Sequence, residues 1–119
     1  MSKWRSGLQI FFDMDNIFLF FENWYQNNKE DWKKKGILLI NSSYEWEMRH
    51  SYALFFETAD KLGEGQIILY ESNGIYWLDL EGANFFEGDM YIKADIRTID
   101  EKSLKKYSEE FFNHMIKRK

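Results

Sequence analysis

The chain has 119 residues, of which 45% are apolar and 19% aromatic, and it carries a net charge of −4 with no cysteine and no proline. This length and composition indicate a single folded domain over residues 1–119 and exclude a disordered chain, a disulfide-stabilised fold and a thiolate metal site. No apolar stretch is long enough to span a bilayer, and the first residues lack a secretory signal. We therefore expect a cytoplasmic protein without a membrane partner.

Charge is distributed unevenly along the chain. Residues 57–101 contain eleven acidic and three basic side chains, a net charge of −8, whereas the remainder of the chain sums to +4. An acidic segment repels phosphates, so we expect no nucleic acid as the main ligand. The distribution favours either a basic partner or a purely solubilising role.

The first predicted element is a helix over residues 16–32. Its apolar residues recur at helical spacing and form one stripe, which consists of Ile17, Phe20, Phe21, Trp24 and Tyr25. Asp13 or Asp15 can cap the start of this helix, because a carboxylate accepts the free amide protons of the first turn. The lysines at 33–35 followed by Gly36 are typical of a helix end.

The next segment predicts short strands joined by tight connections. Residues 37–40 form an apolar run, and residues 52–58 continue in an extended pattern. Residues 42–50 fit either a helix or a strand, and we favour a strand because the extended pattern follows them directly. Residues 59–65 predict a polar turn, and residues 82–88 predict a second loop.

A hairpin is the clearest local signal in the chain. Residues 66–71 and 75–80 flank an Asn73-Gly74 pair, which suits a type I′ turn with two positive φ angles. Beyond the second loop, Met90, Ile92, Ala94 and Ile96 alternate with Tyr91, Lys93, Asp95 and Arg97. This alternation predicts a strand with one solvent-exposed face.

The last predicted element is a helix that Asp100 caps. Its inner stripe consists of Leu104, Tyr107, Ser108, Phe111 and Met115, and the basic residues 117–119 complement its C-terminal dipole. Short connections leave no room for parallel crossovers. The sequence thus predicts an α+β fold, with an antiparallel meander sheet of four to five strands and an N-terminal and a C-terminal helix packed on one face.

Few residues suggest catalysis. The apolar run that ends in Asp13-Met14-Asp15 resembles the start of haloacid-dehalogenase-type phosphatases and of NYN/PIN-type nucleases, in which such acids act as nucleophile or hold a divalent metal. The alternative interpretation is that these acids cap the first helix. His50 and His114 lack zinc-site spacing, although an RNase-like pairing of the two remains open. We expect no cofactor, no metal ion and no enzymatic activity.

A surface for protein binding is the better-supported prediction. Alternate loops of a meander emerge at the same end of the sheet, so the acidic residues around positions 57–64 and 79–89 should combine their charge. Trp77 should face outward beside these carboxylates and serve as an anchor, and Trp46 is a second candidate. The predicted partner-binding residues are Glu57, Asp60, Glu64, Trp77, Asp79, Glu81, Glu87 and Asp89.

The chain resembles the small immunity proteins of bacterial polymorphic-toxin and contact-dependent growth inhibition systems in its size, acidity, aromatic richness and helix-plus-meander layout. Trp24-Tyr25, followed by Asp31-Trp32 and a strand, is similar to the opening of the immunity protein 53 family. The resemblance implies a protein that binds a cognate toxin domain, here a basic nuclease, and blocks its active site. The alternatives are a metal-dependent phosphatase or nuclease that uses Asp13 and Asp15, and a regulatory adaptor with another protein partner. The oligomeric state is left open.

Overall fold

The computed structural model describes residues 16–47 and 50–119, which form two helices and a five-stranded sheet. Neither helix is long and apolar enough, within these residues, to cross a bilayer. The predicted α+β fold is confirmed, whereas the predicted capping residues Asp13 and Asp15 lie outside the described residues. In chain order the elements are α1 (Asn16–Lys34), β1 (Ile37–Glu45), β2 (His50–Thr58), β3 (Gly63–Ser72), β4 (Ile75–Asn84), β5 (Asp89–Ile96) and α2 (Glu101–Ile116).

The sheet is an antiparallel meander in which each strand pairs with its neighbours in sequence, in the order β1-β2-β3-β4-β5. The predicted hairpin turn joins β3 to β4, and both of its central residues have positive φ, 52° at Asn73 and 81° at Gly74. These angles match the type I′ turn that the residue pair favours. The ambiguous segment 42–50 contains the end of β1 and the start of β2.

Both helices pack on the same face of the sheet, which we call the inner face. The ring of Phe21 in α1 lies 5.6 Å from that of Tyr52, and the ring of Phe111 in α2 lies 6.0 Å from that of Phe56. Tyr52 and Phe56 are four residues apart on β2, so their side chains leave the sheet on the same side. Trp32 of α1 contacts Phe56 as well, at 5.6 Å.

The predicted helix stripes form most of the core. In α1, Phe21, Trp24 and Tyr25 are buried as predicted, with Ile17 and Phe20 partly buried. The structure adds Phe18 and Trp32 to this stripe, and it adds Phe112 to the stripe of α2. Asp100 caps α2 as predicted, because its carboxylate accepts the amide of Ser103 at 2.8 Å.

A buried pair of tyrosines links α1 to the sheet. The hydroxyls of Tyr25 and Tyr52 lie 2.8 Å apart. Burial, and then the bond to Tyr25, raise the pKa of Tyr52 well above its usual range. Tyr52 is therefore a neutral hydrogen-bonding member of the core at any physiological pH.

The structure corrects two predicted strand boundaries, and both corrections involve glycines. Strand β4 continues past Leu80 to Asn84, so the predicted loop 82–88 begins too early, and Gly63 and Gly65 belong to β3 rather than to the preceding turn. Glycine usually weakens a strand, which is why these positions read as loop. Here Gly65 and Gly82 make room for the ring of Phe111, which packs directly against their backbone.

The orientation of β5 is opposite to the prediction over its first half. Tyr91 is half-buried and faces α2, with its ring 5.8 Å from that of Phe111, whereas Met90 and Ile92 point away from the helices and are 55% and 63% exposed. A pairing irregularity opposite β4, with a positive φ of 60° at Asp95, then returns Ile96 to the inner face beside Leu78. A bulge of this kind inverts the alternation locally.

Candidate protein-docking face

The opposite face of the sheet, which we call the outer face, has no helix over it in the described part of the chain. On β2 to β5 the register assigns fourteen residues to it: Ser51, Ala53, Phe55, Glu57, Glu64, Gln66, Ile68, Tyr70, Trp77, Asp79, Glu81, Ala83, Met90 and Ile92. Four of these are acidic and none is Lys or Arg. An open sheet face with this composition is unusual for a surface that only has to be soluble, because both signs of charge are normally interspersed.

The four carboxylates lie on three adjacent strands of the outer face. Glu57 and Glu64 are directly opposite each other on β2 and β3, and Asp79 and Glu81 follow on β4. Among the described residues, one ion pair involves these four: Glu57 with Lys61 in the adjoining turn, at 2.5 Å. Two of the others are oriented by neutral donors. Asp79 accepts the backbone amide of Asp95 at 2.9 Å, and Glu81 accepts the side-chain amide of Gln66 at 3.3 Å.

Apolar and aromatic side chains lie beside these carboxylates on the same face. Trp77 faces outward as predicted, and its ring stacks on that of Tyr70 across β3 and β4, with centroids 5.3 Å apart and planes 18° from parallel. Stacked pairs are held in place, so these rings would lose little side-chain entropy on binding a partner. Met90 and Ile92 add exposed aliphatic surface on β5.

A shallow groove of about 350 Å³ crosses the outer face, and we call it the outer-face groove. Phe55 and Met90 line it together with Ile40, which projects from an irregularity in β1. Glu64 and Glu81 also line it. Two carboxylates thus share a groove that has apolar walls.

The loops after β2 and after β4 meet at one end of the sheet, as predicted. The amide of Phe85 donates to the carbonyl of Leu62 at 2.8 Å and ties the two loops together. The C terminus of α2 reaches the same end, where the side-chain amide of Asn84 donates to the carbonyls of His114 and Lys117, each at 2.7 Å. This docking brings positive charge to the acidic loops.

The acidic residues of these loops are therefore partly compensated, which corrects the prediction that their negative charge accumulates. Arg118 forms two bonds to the Asp60 carboxylate, at 2.8 and 2.9 Å, and Thr58 donates to the same group. These bonds hold the pKa of Asp60 well below its usual range. The Nε2 atom of His114 lies 2.7 Å from a carboxylate oxygen of Asp89, within hydrogen-bond distance.

The structure thus divides the eight predicted binding residues into two groups. Glu57, Glu64, Trp77, Asp79 and Glu81 come together on the outer face. Asp60 and Glu87 lie instead in the loops at the end of the sheet, and Asp89 is the first residue of β5 at the same end, near Arg118 and His114.

The sequence interpretation missed an apolar contribution from the same region. Phe85 and Phe86, in the loop after β4, are each 54% exposed, and Leu62 in the facing loop is also exposed. Together with Met90 and Ile92 they make up most of the large exposed apolar side chains among the described residues. Two consecutive phenylalanines in a loop rich in glycine and acid were the signal that could have identified it.

Three other residues considered in the sequence, Trp46, His50 and His114, do not lie on the outer face. Trp46 stacks on His50 and contacts Phe18 of α1, so it lies on the helix-covered side. The side chain of His50 bonds to that of Glu71, whose partner on the neighbouring strand β4 is Tyr76. The backbone carbonyl of His114, in contrast, accepts a bond from Asn84 at the end of β4. Tyr76 and Asn84 are separated by roughly 26 Å along β4, so the two histidines do not pair.

The proposed catalytic acids Asp13 and Asp15 lie outside the described residues. The phosphatase and nuclease folds that they suggested require a parallel, doubly wound sheet, whereas the five strands here are antiparallel. No cluster of three or more metal-ligating side chains occurs within residues 16–47 and 50–119.

A second concavity of about 350 Å³ lies between α1 and α2, over Trp24 and Trp32. Its rim contains both Lys35 and Lys105 as well as Asp31, so its charge favours no single class of ligand. The outer face, in contrast, carries one sign of charge.

Comparison of the chain with known protein families, with curated proteins and with solved structures gave no match. The aromatic residues behind the resemblance to immunity proteins, Trp24, Tyr25 and Trp32, are all buried in the core. Their role in this chain is structural, since Trp24 and Trp32 pack edge to face at 5.1 Å.

Proposed function

We propose that this protein is an immunity-type binding protein that neutralises a cognate toxin domain, a basic nuclease, by covering its active site with the outer face. One observation carries the proposal. A sheet face that no helix covers in the described part of the chain presents four carboxylates and, next to Asp79, a stacked Tyr70–Trp77 pair, and none of its fourteen residues is basic. The proposal places the protein in the cytoplasm, where a toxin that acts on nucleic acid has its substrate.

The charge of the outer face suits a nuclease. Enzymes that cleave nucleic acid bind phosphates with clustered Lys and Arg, and a surface of fixed carboxylates competes for the same cations. Opposite charges also steer the two proteins together and shorten the search for the correct orientation. The aromatic and aliphatic side chains beside the carboxylates then slow dissociation, because they bury apolar area.

The size of the outer face is adequate for a stable complex. Its strands are eight to ten residues long, and five strands spaced at about 4.8 Å give a surface of roughly 24 Å by 30 Å, or about 700 Å². A standard interface buries about 800 Å² on each partner. The exposed Phe85 and Phe86 at the end of the sheet supply additional area.

The experiment pairs this protein with the toxin domain encoded beside its gene. Complex formation is measured by calorimetry, and nuclease activity is measured with and without the protein. Trp77→Ala and Glu81→Lys should each weaken the complex by about 1 to 3 kcal/mol and reduce the inhibition accordingly. Glu30→Lys is the matched control, because Glu30 is an exposed acid on α1, on the other side of the sheet.

The proposal requires that the outer-face variants differ from this control. If the toxin domain forms no complex and keeps its activity in the presence of this protein, the proposed function is wrong. If a complex forms but Glu30→Lys weakens it as much as Glu81→Lys, a different surface binds the toxin.

A further inference from the structure

The outer-face groove has a shape and charge that fit one kind of side chain, and we propose that it receives an arginine of the partner protein. This inference rests on the proposed function and adds the chemistry of the central contact. Residues of all five strands line the groove, so an inserted side chain would contact several strands of the outer face at once rather than one edge strand.

The walls of the groove suit the aliphatic part of an arginine. Phe55 is half-buried on one side, while Met90 and Ile40 are each 55% exposed. Three methylene groups of an arginine can lie along such a surface and remove it from water, while the charged end continues to the acidic side chains. A flat guanidinium can also stack against the ring of Phe55.

The two carboxylates are placed to bind the charged end. Glu64 is paired with Ala83, and Glu81 is paired with Gln66, so the two glutamates are diagonal neighbours on one face, roughly 7 Å apart at their α-carbons. A guanidinium carries five N–H donors in a planar fork and can reach two carboxylates at once, whereas an ammonium is a point charge. Gln66 holds Glu81 in position through its 3.3 Å bond.

Repulsion in the free protein also favours a cation. Glu57 and Glu64 are directly opposite each other, and like charges in this relation destabilise a sheet. Lys61 offsets the charge of Glu57. An incoming arginine would offset that of Glu64. An apolar side chain in the groove would instead strip water from Glu64 and Glu81 without replacing it, which is unfavourable.

The test uses three five-residue glycine peptides that differ at the central position, which is arginine, citrulline or leucine. Citrulline keeps the length and planarity of arginine but lacks its charge. Each peptide is titrated into the isotopically labelled full-length protein, and amide chemical shifts are followed by NMR. We expect the arginine peptide to shift the amides of Gly65, Gln66, Gly82 and Ala83, with an affinity about tenfold above that of the citrulline peptide.

Variants locate the contact. Glu64→Gln and Glu81→Gln should each reduce the affinity for the arginine peptide about three- to tenfold, and Glu30→Gln on α1 should leave it unchanged. Equal affinities for the arginine and citrulline peptides would overturn the inference. So would stronger binding of the leucine peptide, because that result assigns the groove to an apolar side chain.

The toxin complex separates the two proposals. If the toxin domain binds and Trp77→Ala weakens the complex, while the arginine peptide is not distinguished from citrulline, the proposed function stands and the arginine contact is wrong. If the arginine peptide binds in the groove but the toxin domain forms no complex, the groove is correctly assigned and the proposed function is wrong.

Discussion

The glutamate at position 64 illustrates a conflict between folding and binding. It lies opposite Glu57 on the neighbouring strand, and this pair of like charges costs stability in the free protein. We expect Glu64→Gln to raise the free energy of unfolding by about 0.5 kcal/mol while it weakens binding of the toxin domain. Urea denaturation at low salt measures the first effect and calorimetry the second. A variant that is both less stable and equally tight in binding would contradict this interpretation.

Asp60 has a different role, because its carboxylate is held by Arg118, by Thr58 and by the amide of Leu62. These bonds lower its pKa in the folded protein relative to the unfolded chain. The contribution of Asp60 to the stability of the folded protein is therefore fully present above the pKa of the unfolded chain, which is about 4. It is lost as the pH falls toward the pKa of the folded protein. We expect Asp60→Asn to be destabilised relative to the natural protein at pH 7 and to approach it at about pH 2.

Denaturation curves at both pH values measure this difference for Asp60→Asn, for Arg118→Gln and for the double variant. Because the two residues share a contact, the double variant should lose less stability at pH 7 than the sum of the two single variants. An unchanged difference between pH 7 and pH 2 would show that the Asp60–Arg118 pair contributes no pH-dependent stability.

At the scale of elements, two glycines allow α2 to approach the sheet. A Cβ added at Gly82 would overlap the ring of Phe111, and one added at Gly65 would lie 2.6 Å from both that ring and the carbonyl oxygen of Glu81. We expect Gly65→Ala and Gly82→Ala each to destabilise the protein by about 1 to 3 kcal/mol. Chemical denaturation measures both values.

A second substitution distinguishes the two glycines. Phe111→Leu removes the ring atoms that the new methyl group would meet, so Gly82→Ala should cost less in that background. Gly65→Ala should keep most of its cost, because the Glu81 carbonyl belongs to the backbone and cannot move aside. Equal rescue at both positions would contradict this account of the packing.

The elements that the sequence predicts well are those with local signals, and these two glycines show the contrast. Helical periodicity and the Asn73-Gly74 turn are local signals, and both are confirmed. The length of β4 depends on Phe111, almost thirty residues later, so no local pattern at Gly82 could indicate it. The orientation of β5 is set by a bulge at Asp95 and by the contact of Tyr91 with α2, which are also non-local.

At the scale of the whole molecule, the sequence predicted the candidate site only in part. The meander order correctly placed the two acidic loops at one end, and the alternation within β4 correctly turned Trp77 outward. What the order could not indicate is that the C terminus of α2 returns to the same end and brings Arg118 to Asp60. The outer face retains its negative charge because both helices lie on the inner face.

This separation of charge predicts how the complex should respond to salt. The outer face carries four carboxylates and no cation, so it should attract a basic toxin domain over several ångströms in dilute salt and much less when the Debye length is short. We expect the association rate constant to fall about 10- to 100-fold between about 0.02 M and about 0.5 M salt, while the dissociation rate changes little. Stopped-flow fluorescence of the Trp residues measures the association rate.

Two triple variants with the same total charge test whether the outer face is the source of this effect. The first removes three of its carboxylates, through Glu64→Gln, Asp79→Asn and Glu81→Gln. The second removes three exposed acids from the helices, through Glu30→Gln, Asp31→Asn and Glu109→Gln. If steering depends on where the charge lies, the first variant should associate slowly with little dependence on salt, and the second should behave nearly as the natural protein does. Identical behaviour of the two would mean that net charge alone drives association, and the acidic outer face would then have no directing role.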